Sequence, residues 1–378
     1  MTLTKIASHR GSWVAICLAA LLAVPNPGWS QIRIGQTAGF SGPVAAGVKE
    51  TTDGARLYID SINARGGING QSIELISLDD QFDPKQAAEN ARILINERQV
   101  LSMFLTRGTP HTQAILPLLN EQKVPLVGPS TGAMVLHQPV QPWLFNVRAT
   151  YQRESERAVQ HLDLIGLQRI AVVHVDDSFG ADLLEGANRG FASIGKQAQF
   201  VEKFNRAKWE FGEIAARIKA SNTQAVLFIG SGTAVADGID AIRKAGSRAQ
   251  IITNSNNASG GFIKSLGANA AGTIVTQVFP SERMLSSPMV KEASDLARAK
   301  GIEALSPAML EGFAAAKVLV AGLQRAGANP TRARLRDALE GLTRLDIGGL
   351  EVGFGPNDHT GLDFVDLSII DASGRFKR

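Results

Sequence analysis

The sequence predicts an α/β protein in which two similar halves each contain a parallel, doubly wound sheet. Three observations predict this fold. Short apolar strands alternate with amphipathic helices, polar and often Gly-rich loops follow the strands, and the alternation restarts after a break near Arg148. Alternation of this kind is typical of βαβ units, whose strands lie parallel. The chain of 378 residues is long enough for two such halves.

The first half is predicted to contain four strands joined by helices. Gly66-Gly67 ends its first helix, and Asp83-Pro84 begins the second, with Asp as the cap and Pro at the first helical position. The predicted strands are 32–35, 72–78, 101–105 and 124–127.

The second half follows the segment 145–148, which is predicted to cross from the first half to the second. Its strands are predicted at 169–175, 200–204, 225–229, 251–253, 273–278 and 365–370, and its later helices at 309–323 and 331–342. Polar loops follow the strands in both halves. Since ligands of open α/β sheets bind at the carboxyl ends of strands, we expect these loops to line a cleft between the halves.

One turn, Gly128 to Ala133, is predicted to form a wall of that cleft. A strand ends in Gly-Pro, then come Ser130, Thr131 and Gly132, and then an apolar helical start at 133–136. The free N–H groups of a helix start, with two hydroxyls beside them, suit a carboxylate.

Ser130 has two other interpretations. Residues 128–132 match G-x-S-x-G, the nucleophile elbow of α/β-hydrolases, and His359 follows in the required order. Pro129 and the second β-α half count against a hydrolase. The third interpretation is a simple helix N-cap.

The amino terminus predicts a secretory signal peptide, residues 1–30. Positive residues precede an apolar run at 13–24, and small residues Gly28 and Ser30 precede the predicted cleavage. Cleavage would remove Cys17, the one cysteine, so we expect a mature protein without disulfides in the periplasm.

Composition and motifs exclude several other functions. Net charge is +4 with Lys and Arg scattered, which disfavours nucleic-acid binding. The segment 190–196 is similar to a P-loop, but Gln197 stands where Ser or Thr would hold Mg²⁺. The six His form no metal-binding pattern, so we predict neither a metal nor a cofactor.

The order and spacing of several short motifs resemble the branched-chain amino-acid binding proteins of ABC importers, which are type I periplasmic solute-binding proteins. The motifs are Gly54-Ala55, Ile62-Asn63, Gly66 to Gly70, Asp79-Asp80, Asp83-Pro84, Phe179-Gly180 and Gly355 to Asn357. The resemblance implies a non-enzymatic protein with two Rossmann-like lobes joined by three crossovers, closing like a hinge on a ligand. It also implies an ABC permease in the inner membrane as partner. Lobe one would be 31–148 plus 279–351, and lobe two 149–278 plus 352–378.

The resemblance also implies roles for single residues. Thr109 falls where the family has a Ser that donates to the ligand carboxylate, and Ser130, Thr131 and Gly132 fall on the segment that contacts the head group. Phe179 falls on an aromatic cover that is usually Tyr. Thr233 falls near a second aromatic, which this chain lacks.

Two positions bear on the ligand. The expected ligand is a small carboxylate, an amino acid or another organic acid. Ser255 stands where the family's amino-acid binders have an acid for the ligand ammonium, which favours a carboxylate without an α-amino group. Arg107 would favour a carboxylate through a bidentate pair, or else it folds back onto a surface acid. A ligand-sensing receptor module is the alternative function, and a serine hydrolase using Ser130 the next.

Overall fold

The computed structural model describes Thr2 and residues 31–378, so the predicted signal peptide lies outside the described residues except for Thr2. The strands are β1 Ile32–Ala38, β2 Ile73–Asp79, β3 Ser102–Phe104, β4 Leu126–Val127, β5 Leu144–Phe145, β6 Ile170–Val175, β7 Val201–Phe204, β8 Ala225–Ile229, β9 Gln250–Thr253, β10 Ile274–Gln277, β11 Leu345–Asp346, β12 Glu351–Val352, β13 Asp366–Ile370 and β14 Phe376–Lys377. The α-helices are α1 Ala45–Ala64, α2 Pro84–Arg92, α3 Thr109–Gln122, α4 Tyr151–Leu164, α5 Ser178–Ser193, α6 Gly212–Ala220, α7 Thr233–Lys244, α8 Gly260–Leu266, α9 Pro288–Ala299, α10 Pro307–Ala326 and α11 Arg332–Glu340.

Two main sheets confirm the predicted two-lobe α/β fold. Lobe one holds a parallel five-stranded sheet in the order β2-β1-β3-β4-β5. Lobe two holds a seven-stranded sheet in the order β14-β13-β10-β9-β8-β6-β7, in which only the pairings of β13 with β10 and β14 are antiparallel. The inner parallel strands β3, β4, β6 and β8 are buried, whereas the outer strands β2 and β7 are partly exposed.

Helix starts follow from their capping residues. Asp83 accepts from the N–H groups of Lys85 and Gln86, as the Asp-Pro pair predicts. Asp177 accepts from the N–H groups of Phe179 and Gly180, and so fixes the start of α5 directly after β6. The chain therefore turns sharply at the carboxyl ends of β2 and β6.

Helix α10 packs closely on α1, and both helices contribute to the hydrophobic core that contains Ile32 and Ile34 of β1. A Cβ at Gly54 would lie 1.9 Å from the carbonyl oxygen of Met309, and one at Gly312 would lie 1.8 Å from that of Thr51. Two glycines on facing helices therefore allow the backbones to touch. The sequence predicted α10, but it missed α9, whose apolar residues make a short stripe.

The chain passes between the two hydrophobic cores three times. The chain leaves the core of lobe one for that of lobe two between Ala149 and Tyr151. It returns to the core of lobe one between Val275 and Val278. Leu362 still belongs to the core of lobe one, and its N–H donates to Val147 O at 3.0 Å. Val365 packs on the same core, and Leu367 packs on that of lobe two, so we propose that the third crossing lies at 365–367, later than the 351/352 boundary expected from the sequence.

The helix predicted directly after Ser130 does not form. Only a 3₁₀ turn at Met134–Leu136 follows, because Pro139 and Pro142 prevent a longer helix. The prediction of helix N–H groups at this turn was therefore wrong.

None of the helices in residues 31–378 is both long enough and apolar enough for a membrane span. In the same residues, no group of three or more His, Cys, Asp and Glu side chains is placed to hold a metal ion.

Candidate functional site

The loops after the parallel strands of the two lobes face each other and touch. The N–H of Thr233 in lobe two donates to Pro43 O in lobe one at 3.2 Å. Ser178 donates to Gln113 across the cleft at 2.6 Å. The structure is therefore a closed arrangement of the lobes, with the predicted loops at the interface.

The lobe-one wall contains a group of buried hydroxyls. Thr109 Oγ1 and Thr131 Oγ1 are 2.7 Å apart, and both residues are fully buried. Ser130 is 2% exposed, and its N–H donates to Thr106 O. Gly132 accepts at its carbonyl from the N–H of Tyr151, and a Cβ there would meet Ala149 O at 2.5 Å. Gly132 thus lets this turn pack on the crossing.

Arg107 joins the two walls. Its Nη1 donates to Ser130 Oγ at 2.9 Å and its Nη2 to Asn256 O of lobe two at 2.7 Å. The residue is only 6% exposed, and both of these partners are uncharged. The alternative in which Arg107 folds onto a surface acid is therefore not the arrangement found here.

The lobe-two wall presents aromatic rings. Phe179 is 3% exposed and packs edge-to-face on Tyr151, with ring centroids 5.1 Å apart. The Arg206 guanidinium lies 4.9 Å from the centroid of Phe82 in lobe one and 5.9 Å from that of Phe179. Tyr151 was missed in the sequence, although an aromatic residue directly after a crossing is a usable signal.

Ser255 is held by an acid that sequence reasoning missed, Glu154. The Ser255 N–H and Oγ both donate to the Glu154 carboxylate at 2.9 Å, and Thr276 and Arg148 donate to it as well. Arg148 Nη2 also lies 2.5 Å from Ser255 Oγ. Residue 255 itself is therefore not an acid, but the carboxylate of Glu154 lies beside it. This carboxylate already accepts hydrogen bonds from four donors.

Arg148 continues this network into lobe one. Its Nη1 lies 3.6 Å from Glu311 Oε1, and neither atom has a hydrogen-bond partner within residues 31–378. Arg148 is 1% exposed and stacks over Tyr151 at 4.5 Å. A buried cation between two carboxylates therefore lies at the first crossing, beside the cleft.

His359, the candidate base of a hydrolase, is not hydrogen-bonded to Ser130. Its ring stacks on Phe145 at 4.1 Å, and its Nδ1 lies 2.8 Å from Leu144 O. Its Nε2 lies 3.3 Å from Glu340. In the described part of the chain, the hydrogen-bond partner of Ser130 Oγ is Arg107. The structure therefore does not support the interpretation of Ser130 as a catalytic nucleophile.

A cavity of about 240 Å³ lies between the lobes beside Arg107. Lobe one contributes the loop and helix start 42–47, and lobe two contributes Thr233, Asn256 and Phe262 among others. A larger groove of about 770 Å³ lies at the amino end of β1. Ligands of parallel sheets bind at the opposite, carboxyl ends of the strands, so we take the smaller cavity as the candidate site.

Two buried histidines near the cleft are predicted to make stability depend on pH. Burial lowers the pKa of His111 to about 4, and burial together with Arg148 lowers that of His137 to about 4. A His whose folded pKa lies below its unfolded value near 6.5 favours the unfolded state when protonated. Its contribution is present above pH 6.5 and is lost as pH falls towards 4.

We therefore expect His111→Phe, which keeps the ring stacked on Phe82, to remove part of the loss of stability in acid. Between pH 7.5 and 4.5 the variant is expected to lose about 2–3 kcal/mol less unfolding free energy than the wild type. Urea unfolding at the two pH values measures this difference. His161→Phe is the comparison, with a smaller expected effect, because shallower burial also lowers the pKa of His161. Equal losses in wild type and His111→Phe would contradict the prediction.

Comparisons with known proteins agree with the fold. A family model described as "Periplasmic binding protein" matches residues 31–368. A "Leu/Ile/Val-binding protein homolog 3" from Brucella melitensis is 24% identical over 333 residues, covering 86% of this chain and 87% of the relative.

Two solved structures are also similar. A substrate-binding periplasmic protein from Ralstonia solanacearum has a TM-score of 0.84 at 29% identity, with 92% of this chain and 99% of that chain covered. A possible leucine/isoleucine/valine-binding protein from Rhodopirellula baltica has a TM-score of 0.85 at 27% identity, with 93% and 97% covered.

Proposed function

The chain belongs to the periplasmic binding protein family, and we propose that it is the exported solute-binding component of an ABC importer. In this proposal the two lobes close on a small carboxylate without an α-amino group, and the closed form is what a permease in the inner membrane recognises. The signal peptide predicted at 1–30 and the closed two-lobe arrangement support it.

The proposal that the ligand is a carboxylate rests on the environment of Arg107. This residue is a cation buried at the interface of the lobes, and its two hydrogen bonds go to a hydroxyl and a carbonyl. A buried charge is expensive unless it is paired, and a ligand carboxylate supplies the missing pair. The hydroxyls of Thr109, Ser130 and Thr131 lie on the same wall and add neutral donors.

The state of Glu154 argues against an ammonium at the position of Ser255. Its Oε1 already accepts from Arg148 and Ser255 Oγ, and its Oε2 from Ser255 N and Thr276. An ammonium placed there would have to displace one of these donors. The relatives named for leucine, isoleucine and valine make amino acids the competing ligand class.

A thermal-shift experiment with matched pairs of compounds tests the proposal. We expect 4-methylpentanoate to stabilise the protein and leucine, which adds an α-ammonium to the same skeleton, to do so less. A ligand at 100 times its Kd adds about 2.7 kcal/mol to the folded state, which corresponds to a rise in Tm of a few degrees. The pair 3-methylbutanoate and valine repeats the comparison with a shorter chain.

Two results would count against the proposal. Stabilisation by leucine but not by 4-methylpentanoate would identify an amino-acid binder. Covalent labelling of Ser130 by a fluorophosphonate would favour the hydrolase instead. A Ser130→Ala variant is the control for labelling at any other serine.

A further inference from the structure

The predicted cleavage after Ser30 makes Gln31 the first residue of the exported protein. A glutamine at this position carries a carboxamide within reach of its own α-amine. The amine nitrogen attacks Cδ, a lactam ring closes, and the side-chain nitrogen leaves as ammonia. The bond from the amine nitrogen to Cδ forms as the bond from Cδ to Nε2 breaks, and one proton passes from the amine to the leaving nitrogen. The product is pyroglutamate, and the reaction needs no second reactant because both groups belong to one residue.

The structure leaves Gln31 free to form this ring. Strand β1 begins at Ile32, whose N–H donates to Ser72 O at 2.8 Å and whose side chain is 4% exposed. Gln31 precedes the strand and is exposed. Ring closure uses only the amine and the side chain of Gln31. The hydrogen bonds of β1 therefore stay intact when the ring forms.

The groove at the amino end of β1 favours an uncharged first residue. Arg33, Lys123 and Arg332 line this groove together with Gln31, and its lining within residues 31–378 contains no Asp or Glu. Of these three cations, Arg33 has an acid nearby, since Glu74 lies 3.9 Å from its Nε. A free α-ammonium would add another positive charge to this surface. Its cationic neighbours favour the neutral amine, which is the form that attacks Cδ.

We propose that the exported protein carries pyroglutamate in place of Gln31. The lactam has no charge, and the open groove of about 770 Å³ leaves room for it. The modification removes the free α-amine that aminopeptidases require, so it protects the anchored strand β1 from trimming. This inference rests on the export that the proposed function includes, and it is independent of the ligand, because the groove lies at the opposite end of the lobe-one sheet from the cleft.

Intact mass measurement of the exported protein tests the inference. The full chain is expressed with its own residues 1–30, purified after export and incubated at neutral pH. We expect a mass lower by one ammonia than that of residues 31–378. Amino-terminal sequencing by Edman degradation is expected to be blocked, and treatment with a pyroglutamyl aminopeptidase is expected to open it at Ile32.

Gln31→Ala is the matched control, because it keeps the length of the exported chain but has no carboxamide at its first residue. We expect the full mass for this variant and an open amino terminus. The control also tests the other candidate source of lost ammonia, which is succinimide formation at Asn69-Gly70. An equal loss of ammonia in Gln31→Ala would assign the loss to such a site and overturn the inference.

The same measurement separates the modification from the export. A wild type with the full mass of residues 31–378 that sequences from Gln31 would overturn the inference and leave the export standing. A protein that retains residues 1–30, or that begins at a residue other than 31, would contradict the predicted cleavage together with the inference.

Discussion

Replacing Gly261 with alanine is expected to prevent closure of the lobes without unfolding either of them. Gly261 is the second residue of α8 in lobe two, and a Cβ there would lie 2.3 Å from the Cβ of Ala46 in lobe one. Real Cβ atoms do not approach so closely, so the two helix starts must separate. Since both contacting atoms are attached directly to helical backbone, no side-chain rotation can relieve the clash.

The effect is expected to be specific to the closed form. Gly261 lies in a helix with ordinary φ, where alanine is favoured over glycine by roughly 0.5–1 kcal/mol. The open form of the variant should therefore be as stable as the wild type or slightly more so. Only the state in which α1 and α8 meet is penalised, and ligand affinity falls with the population of that state.

Gly260→Ala is the control, one residue earlier on the same helix. Its Cβ would meet Glu50 Oε1 at 3.5 Å, an ordinary van der Waals contact. Glu50 accepts from the N–H groups of both glycines, and neither substitution removes those N–H groups. The two variants thus differ in the contact with Ala46 and in little else.

Small-angle scattering measures whether each variant becomes more compact on ligand binding. The ligand is the compound that stabilises the wild type most in the thermal-shift experiment. We expect compaction of the wild type and of Gly260→Ala on ligand addition, and none for Gly261→Ala, with a loss of affinity of about 100-fold or more. If Gly261→Ala closes and binds like its control, the contact between α1 and α8 does not belong to the closed state.

The fold was predictable from the sequence because it depends on local patterns. Each buried inner strand is a short apolar run, and the Asp83-Pro84 pair marks where a helix begins. The turn after Thr131 was not predicted correctly, since the prolines that stop its helix act from several residues away. Helix α9 was missed, although Met289, Val290, Ala293 and Ala297 form one buried face at helical spacing.

The candidate site was predictable only in part. Loops at strand ends identify Arg107, Thr109, Ser130 and Thr131 as neighbours, because parallel strands place their carboxyl ends together. Glu154 could not be connected to Ser255, since the two lie 101 residues apart and on different elements. The partners of a buried charge depend on tertiary packing, which no local pattern encodes.

The largest loss of stability is expected from breaking the ion pairs of Arg148. Arg148→Met keeps an apolar chain over Tyr151 but leaves Glu154 and Glu311 buried without their cation. Removal of one partner from a buried pair typically costs about 3–5 kcal/mol, because the remaining charge is uncompensated. The three remaining donors to Glu154, from Ser255 and Thr276, do not replace a formal charge.

Arg153→Met provides a matched comparison, because Arg153 also pairs with an acid but does so on the surface. Its Nε lies 2.8 Å from Asp363, and the side chains are 53% and 72% exposed. An exposed pair of this kind contributes about 0–1 kcal/mol. Urea unfolding should therefore separate the two Arg→Met variants by several-fold in lost free energy.

A double-mutant cycle with Glu154→Gln shows whether the loss comes from the pair itself. Arg148→Met leaves two buried carboxylates without their cation, and Glu154→Gln leaves Arg148 paired with Glu311 alone. In the double variant Glu311 is the one uncompensated charge of the three. We expect the double variant to lose less free energy than the sum of the single losses, with a coupling of about 0.5–3 kcal/mol. Strict additivity would show that the contribution of Arg148 does not depend on Glu154 and comes from Glu311 or from packing on Tyr151. A cost no greater than that of Arg153→Met would show that the crossing does not depend on this cation.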